Sequence, residues 1–133
     1  MNEVPLGPSD LEMAKAHRVL AAAEHLARGG FHEDAVSRAY YAVFHAGCAL
    51  LGSIGRTVRT HDGMRAAISQ HFIRAGKMDS RFGRVMARTA ADRNDADYNS
   101  AATFQPEDAT DAIASARAFL AVVDALLVTH ATP

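Results

Sequence analysis

The stretch HEDAVSRAYYAVFHAGCALL, residues 32–51, constrains the fold more than any other part of the chain. Val36, Ala39, Tyr40, Val43, Phe44, Gly47 and Leu51 recur at i, i+3, i+4 spacing, which gathers them on one face of an α-helix. A strand would send alternate members to opposite sides. The other face is not ordinary surface, because Arg38, Tyr41, His45 and Cys48 line up there at helical spacing. A helix with two such faces is buried twice, once in its own core and once against something else. The pattern therefore predicts a homodimer built on this helix and on the segment around Arg93.

The remaining segments read the same way. SDLEMAKAHRVLAAAEHLARGG is a first helix, with capping-box spacing at Ser9 and Glu12, a stop at Gly29–Gly30, and an apolar stripe of Leu11, Val19, Ala22 and Leu26. After the loop GSIGRTVRT, Thr60 caps a third helix, His61 to about Ala75, with Met64, Ile68 and Phe72 inward. GKMD breaks it, and Asp79 caps a fourth helix running to about Asp97. Phe82, Val85, Met86, Thr89, Ala90 and Arg93 share one face of that helix, while Arg81, Arg84 and Arg88 form a separate basic stripe. Pro106 suits a first helical position, and the last helix runs to about Val128 with Ala109, Ile113, Ala116, Leu120, Val123 and Leu127 inward. No stretch has strand alternation. The expectation is an all-α, up-and-down bundle of four to five helices, one domain over residues 9–130 behind a flexible tail at 1–8.

Composition narrows the functional classes. One cysteine, Cys48, excludes an intramolecular disulfide framework and a cysteine zinc cluster, and it fits a reducing cytosol. No apolar run approaches the roughly 18 residues of a membrane helix, and MNEVPLGPSD is unlike a signal peptide. A cytoplasmic protein without a membrane span is expected. The net charge of −1 hides an asymmetry: Arg56–Arg93 holds nine Lys/Arg against three Asp, inside an otherwise acidic chain. A basic middle points to a phosphate-bearing partner or to an acidic patch on another protein.

Several side chains are candidates for chemistry. A guanidinium on an apolar helix face, as at Arg93, is costly unless paired or partly wet; function and a snorkelling arginine near a helix end both account for it. Asp95 and Asp97 are potential partners. Tyr98 can donate a hydrogen bond to a phosphate, although with an ordinary tyrosine pKa near 10 it is a poor general base; packing of the loop is the alternative. Arg38, Tyr41 and His45 suit a phosphate cleft or the polar part of a dimer interface. His61, at a helix start, suits an anion site or a cap. Arg84 and Arg88 suit contacts to phosphate. His61 and His71 do not share a helix face, so no metal pair is expected, and no glycine-rich phosphate loop or nucleophile elbow occurs.

SRAYYAVFHAGCALL (Ser37–Leu51) and RTHDGMRAAISQHFIRAGKMDSRFGRVMARTAADRNDADYN (Arg59–Asn99) resemble the small stand-alone HEPN-domain proteins. The resemblance spans about two-thirds of the chain. It implies a helical bundle that dimerises, often a metal-independent ribonuclease without a cofactor, and often the toxin of a toxin–antitoxin pair whose partner resembles a minimal nucleotidyltransferase. The family's motif is an arginine, a polar residue and, after four to six intervening residues, a histidine. Arg93 matches the arginine and Asn94 the polar residue, but Tyr98 stands where the four-residue spacing puts the histidine. The resemblance thus implies RNA or nucleotide phosphate held at a dimer cleft, or alternatively an inactive interaction or nucleotide-binding module; any remaining chemistry needs another base, for which His45 and His61 are the candidates. Some family toxins carry a tyrosine two residues after the histidine that their partner modifies; here Ser100 stands at that position.

Overall fold

The computed structural model describes residues 8–131, and it is helical. The helices are α1 (Pro8–Arg28), α2 (His32–Gly52), α3 (His61–Ile68), α4 (Arg81–Tyr98) and α5 (Pro106–Ala131), with a π-helical turn over Ser69–Ile73 and no strand among the described residues. The all-α bundle expected from periodicity is what forms. Of the expected tail, residues 1–7 lie outside the described residues, and Pro8 already opens α1.

α2 is the central post, packed against α1, α5, α4 and α3. Its predicted face is buried, with Val36, Ala39, Tyr40, Val43 and Leu51 at 0–1% exposure. Burying Val36, Val43 and Leu51 contributes about 1.5–3 kcal/mol each. Gly47 brings α3 close to α2, because any Cβ there would collide with Met64. Met64, Ile68 and Phe72 point inward as predicted.

Local chemistry sets most helix ends. α1 stops at Gly29–Gly30, where Gly30 has φ +86° and the Phe31 amide donates to the Leu26 carbonyl at 2.9 Å. Thr60 caps α3, its hydroxyl accepting from the Gly63 amide at 2.9 Å. The Asp79 carboxylate accepts from the Arg81 amide at 2.8 Å, and Pro106 opens α5.

Four expectations need correction. Ser9 lies inside the first turn of α1 rather than at its cap, and Glu12 accepts instead from His45 on α2. The buried stripe of α1 is Met13, Ala16, Leu20 and Ala23; Leu11 and Ala22 are exposed, while Val19 and Leu26 are only partly buried. The third helix does not stay α-helical to Ala75. It widens at Ser69, so that the Arg74 amide donates to the Ser69 carbonyl, and Gly76 then turns the chain at φ +78°. Finally, Pro106–Thr129, 24 residues of α5, is by length and composition alone apolar enough to cross a membrane. Two features produce that composition: a core-facing stripe including Ile113, Phe119, Leu120 and Val123, and an outer face rich in alanine, namely Ala114, Ala121 and Ala125.

Candidate functional site

The site is built where α3 and α4 lie against α2. Arg93 sits on the α4 face that carries Phe82, Met86, Thr89 and Ala90, so helical register alone turns it inward. Its side chain is only 13% exposed. The guanidinium carbon lies 5.0 Å from the centre of the Tyr40 ring and 5.7 Å from that of Tyr41, within cation–π range of both. Hydrogen-bonding satisfaction is poor by contrast. The contact with the Asp97 carboxylate is long, at 3.8 Å, and the buried Nε has no hydrogen-bond partner. Asp97 itself accepts from the Ser37 hydroxyl at 2.7 Å. A buried donor without an acceptor costs about 1–3 kcal/mol. Two aromatic rings thus hold the cation in place while its buried Nε finds no acceptor.

A groove of about 310 Å³ opens beside it, lined by His61, Asp62, Arg65, Ala87, Ala90, Ala91, Arg93 and Asn94. The alanines of α4 leave the space, and α3 supplies the opposite wall. His61 stands at the first position of α3, directly after the Thr60 cap. Its Nδ1 lies 2.6 Å from the Tyr40 hydroxyl, and its ring packs 4.4 Å from that of Phe44. Burial and the nearby Arg93 and Arg65 cations hold this imidazole below its ordinary value of 6.5. It is therefore neutral at neutral pH. Tyr40, fully buried on α2, is pushed above the ordinary tyrosine value by that burial, against the pull of the nearby Arg65 and Arg93 cations. Arg65 also pairs with Asp62. The result is a small concavity with two cations, one of them paired with the Asp62 carboxylate, an amide and an uncharged imidazole, a combination that can hold an anionic group and exchange a proton with it.

The structure brings together only some of the residues singled out from the sequence. Arg93, Asn94 and His61 share the groove, and Tyr41 packs beneath Arg93 and 6.1 Å from His61. Arg38 is exposed, its guanidinium 5.7 Å from the Tyr41 ring. His45 turns towards α1, its Nδ1 2.8 Å from a Glu12 carboxylate oxygen. Tyr98, on the last turn of α4, is 73% exposed and does not line the groove. Arg84 and Arg88 face outwards, Arg88 3.5 Å from the Asp92 carboxylate. Sequence reasoning missed Arg65, three residues after Asp62, and the pairing of Tyr40 with His61. Tyr40 looked like core and nothing more; its hydroxyl was the available signal, since a buried phenol takes a hydrogen-bond partner.

Fold and site define a class, a helical bundle with a basic groove beside a half-buried arginine, and similarity to known proteins gives that class its family. The HEPN domain matches residues 11–126, and the chain belongs to the HEPN domain family. It is 31% identical over 113 residues to a UPF0332 protein of Thermotoga maritima, spanning 85% of this chain and 86% of that one. Two proteins of Methanocaldococcus jannaschii bearing the name "Putative toxin" are also similar. One is 34% identical over 83 residues, 62% of each chain; the other is 30% identical over 95 residues, 71% of this chain and 65% of that one.

Proposed function

We propose that this protein acts on RNA as the toxin-type member of a two-protein system, with a backbone phosphate held in the groove between α3 and α4. The observation that carries this reading is the Arg93 guanidinium, stacked on Tyr40 and Tyr41 with its charge poorly matched inside the chain. Arg65 adds a second cation and Asn94 a hydrogen-bonding amide at the same groove. Arg84 and Arg88, exposed on α4, extend the positive track for neighbouring phosphates. The toxin names carried by relatives support the same direction.

In this reading two copies meet through the outer face of α2 and the end of α4, where Arg38 and Tyr98 stand exposed. Each Tyr98 then contributes its phenol to a shared cleft as a substrate-orienting group. A nucleotidyltransferase-type protein is the expected partner that restrains the activity. A second reading, an inactive nucleotide- or RNA-binding module, is favoured by Tyr98 at the position where the motif carries histidine. Induced expression with Arg93→Ala as control separates function from inert binding. Growth arrest with the parent chain and none with Arg93→Ala supports the toxin reading. RNA binding without arrest or cleavage supports the module. RNA binding that is insensitive to Arg93→Ala removes both.

A further inference from the structure

We propose that His61 performs the proton transfer for which the Arg93 motif itself carries no imidazole, and that Tyr40 is its positioning residue. The inference rests on the reading of the groove as an RNA phosphate site. The motif's own position holds a tyrosine on an exposed turn, whereas the imidazole that lines the groove with Arg93 comes from α3.

The argument starts from the two ring nitrogens. Nδ1 is engaged with the Tyr40 hydroxyl at 2.6 Å, which leaves Nε2 as the nitrogen available to the groove. A phenol oxygen has two lone pairs. In our assignment one of them accepts from Nδ1–H, so that Nε2 keeps its lone pair. The arrangement fixes the tautomer and the ring plane, as a hydrogen bond to one nitrogen does for the other. The ring is further held by Phe44 at 4.4 Å and Tyr41 at 6.1 Å. The groups that set its titration are Tyr40, Tyr41 and His45 from α2, Asp62 and Arg65 from α3, and Arg93 from α4. Burial and the nearby Arg93 and Arg65 cations keep the imidazole unprotonated at neutral pH, as a base requires.

The step balances without a co-reactant other than water. The 2′-hydroxyl gives its proton to Nε2 as its oxygen bonds to the adjacent phosphorus. The P–O5′ bond breaks, and the 5′-oxygen takes a proton from water. His61 then releases its proton to solvent, leaving a 2′,3′-cyclic phosphate and a 5′-hydroxyl. Arg93 and Arg65 offset the negative charge that grows on the phosphate oxygens. Tyr40 stays a phenol throughout, since burial holds its proton on. Its oxygen strengthens the imidazolium by accepting from Nδ1–H.

The test uses the full-length chain with an RNA oligonucleotide and with the same sequence 2′-O-methylated, which binds but offers no attacking hydroxyl. Binding of the methylated RNA reports the phosphate site alone, and Arg93→Ala should weaken it. Should the parent chain not bind that RNA, the earlier reading fails, and this one with it. Given binding, His61→Asn should keep it within a few-fold and reduce cleavage by on the order of 10²–10⁴-fold. Tyr40→Phe should lower kcat with little change in KM and move the acid limb of the pH profile to lower pH, because the imidazolium loses an acceptor. Cleavage by His61→Asn at the parent rate overturns the proposal, as does a parent chain that binds RNA without cutting it. Because Tyr40 is fully buried, nitrogen NMR of His61 in the unmodified protein supplies a second readout. A proton on Nδ1 and none on Nε2 above the titration midpoint supports the proposal, and the opposite tautomer overturns it.

Discussion

Two arginines on different helices show how unevenly this bundle treats charge. Arg117 of α5 lies 2.8 Å from the Glu24 carboxylate of α1, and nearby His17 and Asp124 meet at the same distance across the same seam. Each basic side chain has a carboxylate from the neighbouring helix, and both pairs are partly exposed. Arg93 is the reverse: withdrawn from solvent, stacked on aromatic rings, and served only by a 3.8 Å contact one turn along its own helix. The α1–α5 seam is complete as it stands. In the α3–α4 groove the buried Nε of Arg93 has no acceptor, and that is the gap our proposed phosphate would fill. Charge that is matched inside the chain reports on assembly of the fold, whereas charge that the fold shelters but leaves unmatched reports on a ligand.

The contrast breaks most directly at the two arginines. Arg93→Ala is expected to reduce any RNA cleavage by about 10²–10³-fold, the range for removing one preorganised charge-stabilising group, while a thermal melt moves little. Arg117→Ala is expected to leave cleavage intact and to change stability by less than about 1 kcal/mol, as exposed ion pairs do. Equal effects of the two on cleavage would erase the distinction between seam and groove.

Gly47→Ala sharpens the comparison from the packing side. A methyl group there collides with the buried Met64, whose side chain must repack between α2 and α3. Destabilisation of about 1–3 kcal/mol is expected from chemical denaturation, together with loss of the His61–Tyr40 contact. An unchanged denaturation midpoint would show that α3 is not held by this close approach.

Ala91→Leu fills the groove without touching a charge. Ala91 is exposed on α4, so stability should stay within about 0.5 kcal/mol, while RNA binding weakens. Unaltered binding would move the ligand elsewhere on the basic surface.

The smallest effect concerns Arg84 and Arg88. Replacing either by alanine should weaken binding uniformly across RNA sequences and reduce the slope of log affinity against log salt by about one. A slope that does not change removes these side chains from the phosphate track.

How much of this was legible depended on the reach of the interaction. Helix ends set by adjacent residues, such as Thr60 over Gly63 and Gly30 after α1, could be read directly. So could the inward turn of Arg93, because register on one helix decides it. α1 was misread for a physical reason: alanines occupy every side of it, so the stripe is decided by how closely Ala16 and Ala23 let α1 approach its neighbours rather than by where Leu11 falls. The core of the site was illegible. Tyr40 and His61 are 21 residues apart in the chain and meet through the packing of α3 on α2, where Gly47 leaves room for Met64. His45 and Glu12, 33 apart, find each other through the α1–α2 packing, which takes His45 away from the cleft that its place on α2 suggested.

The chain has no tryptophan and three tyrosines. Two of them, Tyr40 and Tyr41, form the bed beneath Arg93, and the third, Tyr98, is exposed on the last turn of the same helix as Arg93. The near-ultraviolet spectrum of this protein is therefore almost entirely a spectrum of its candidate site and its edge. Ligand entry beside Arg93 should register as a change in tyrosine circular dichroism or emission without any label, and Tyr98→Phe would leave a signal that comes from Tyr40 and Tyr41 alone.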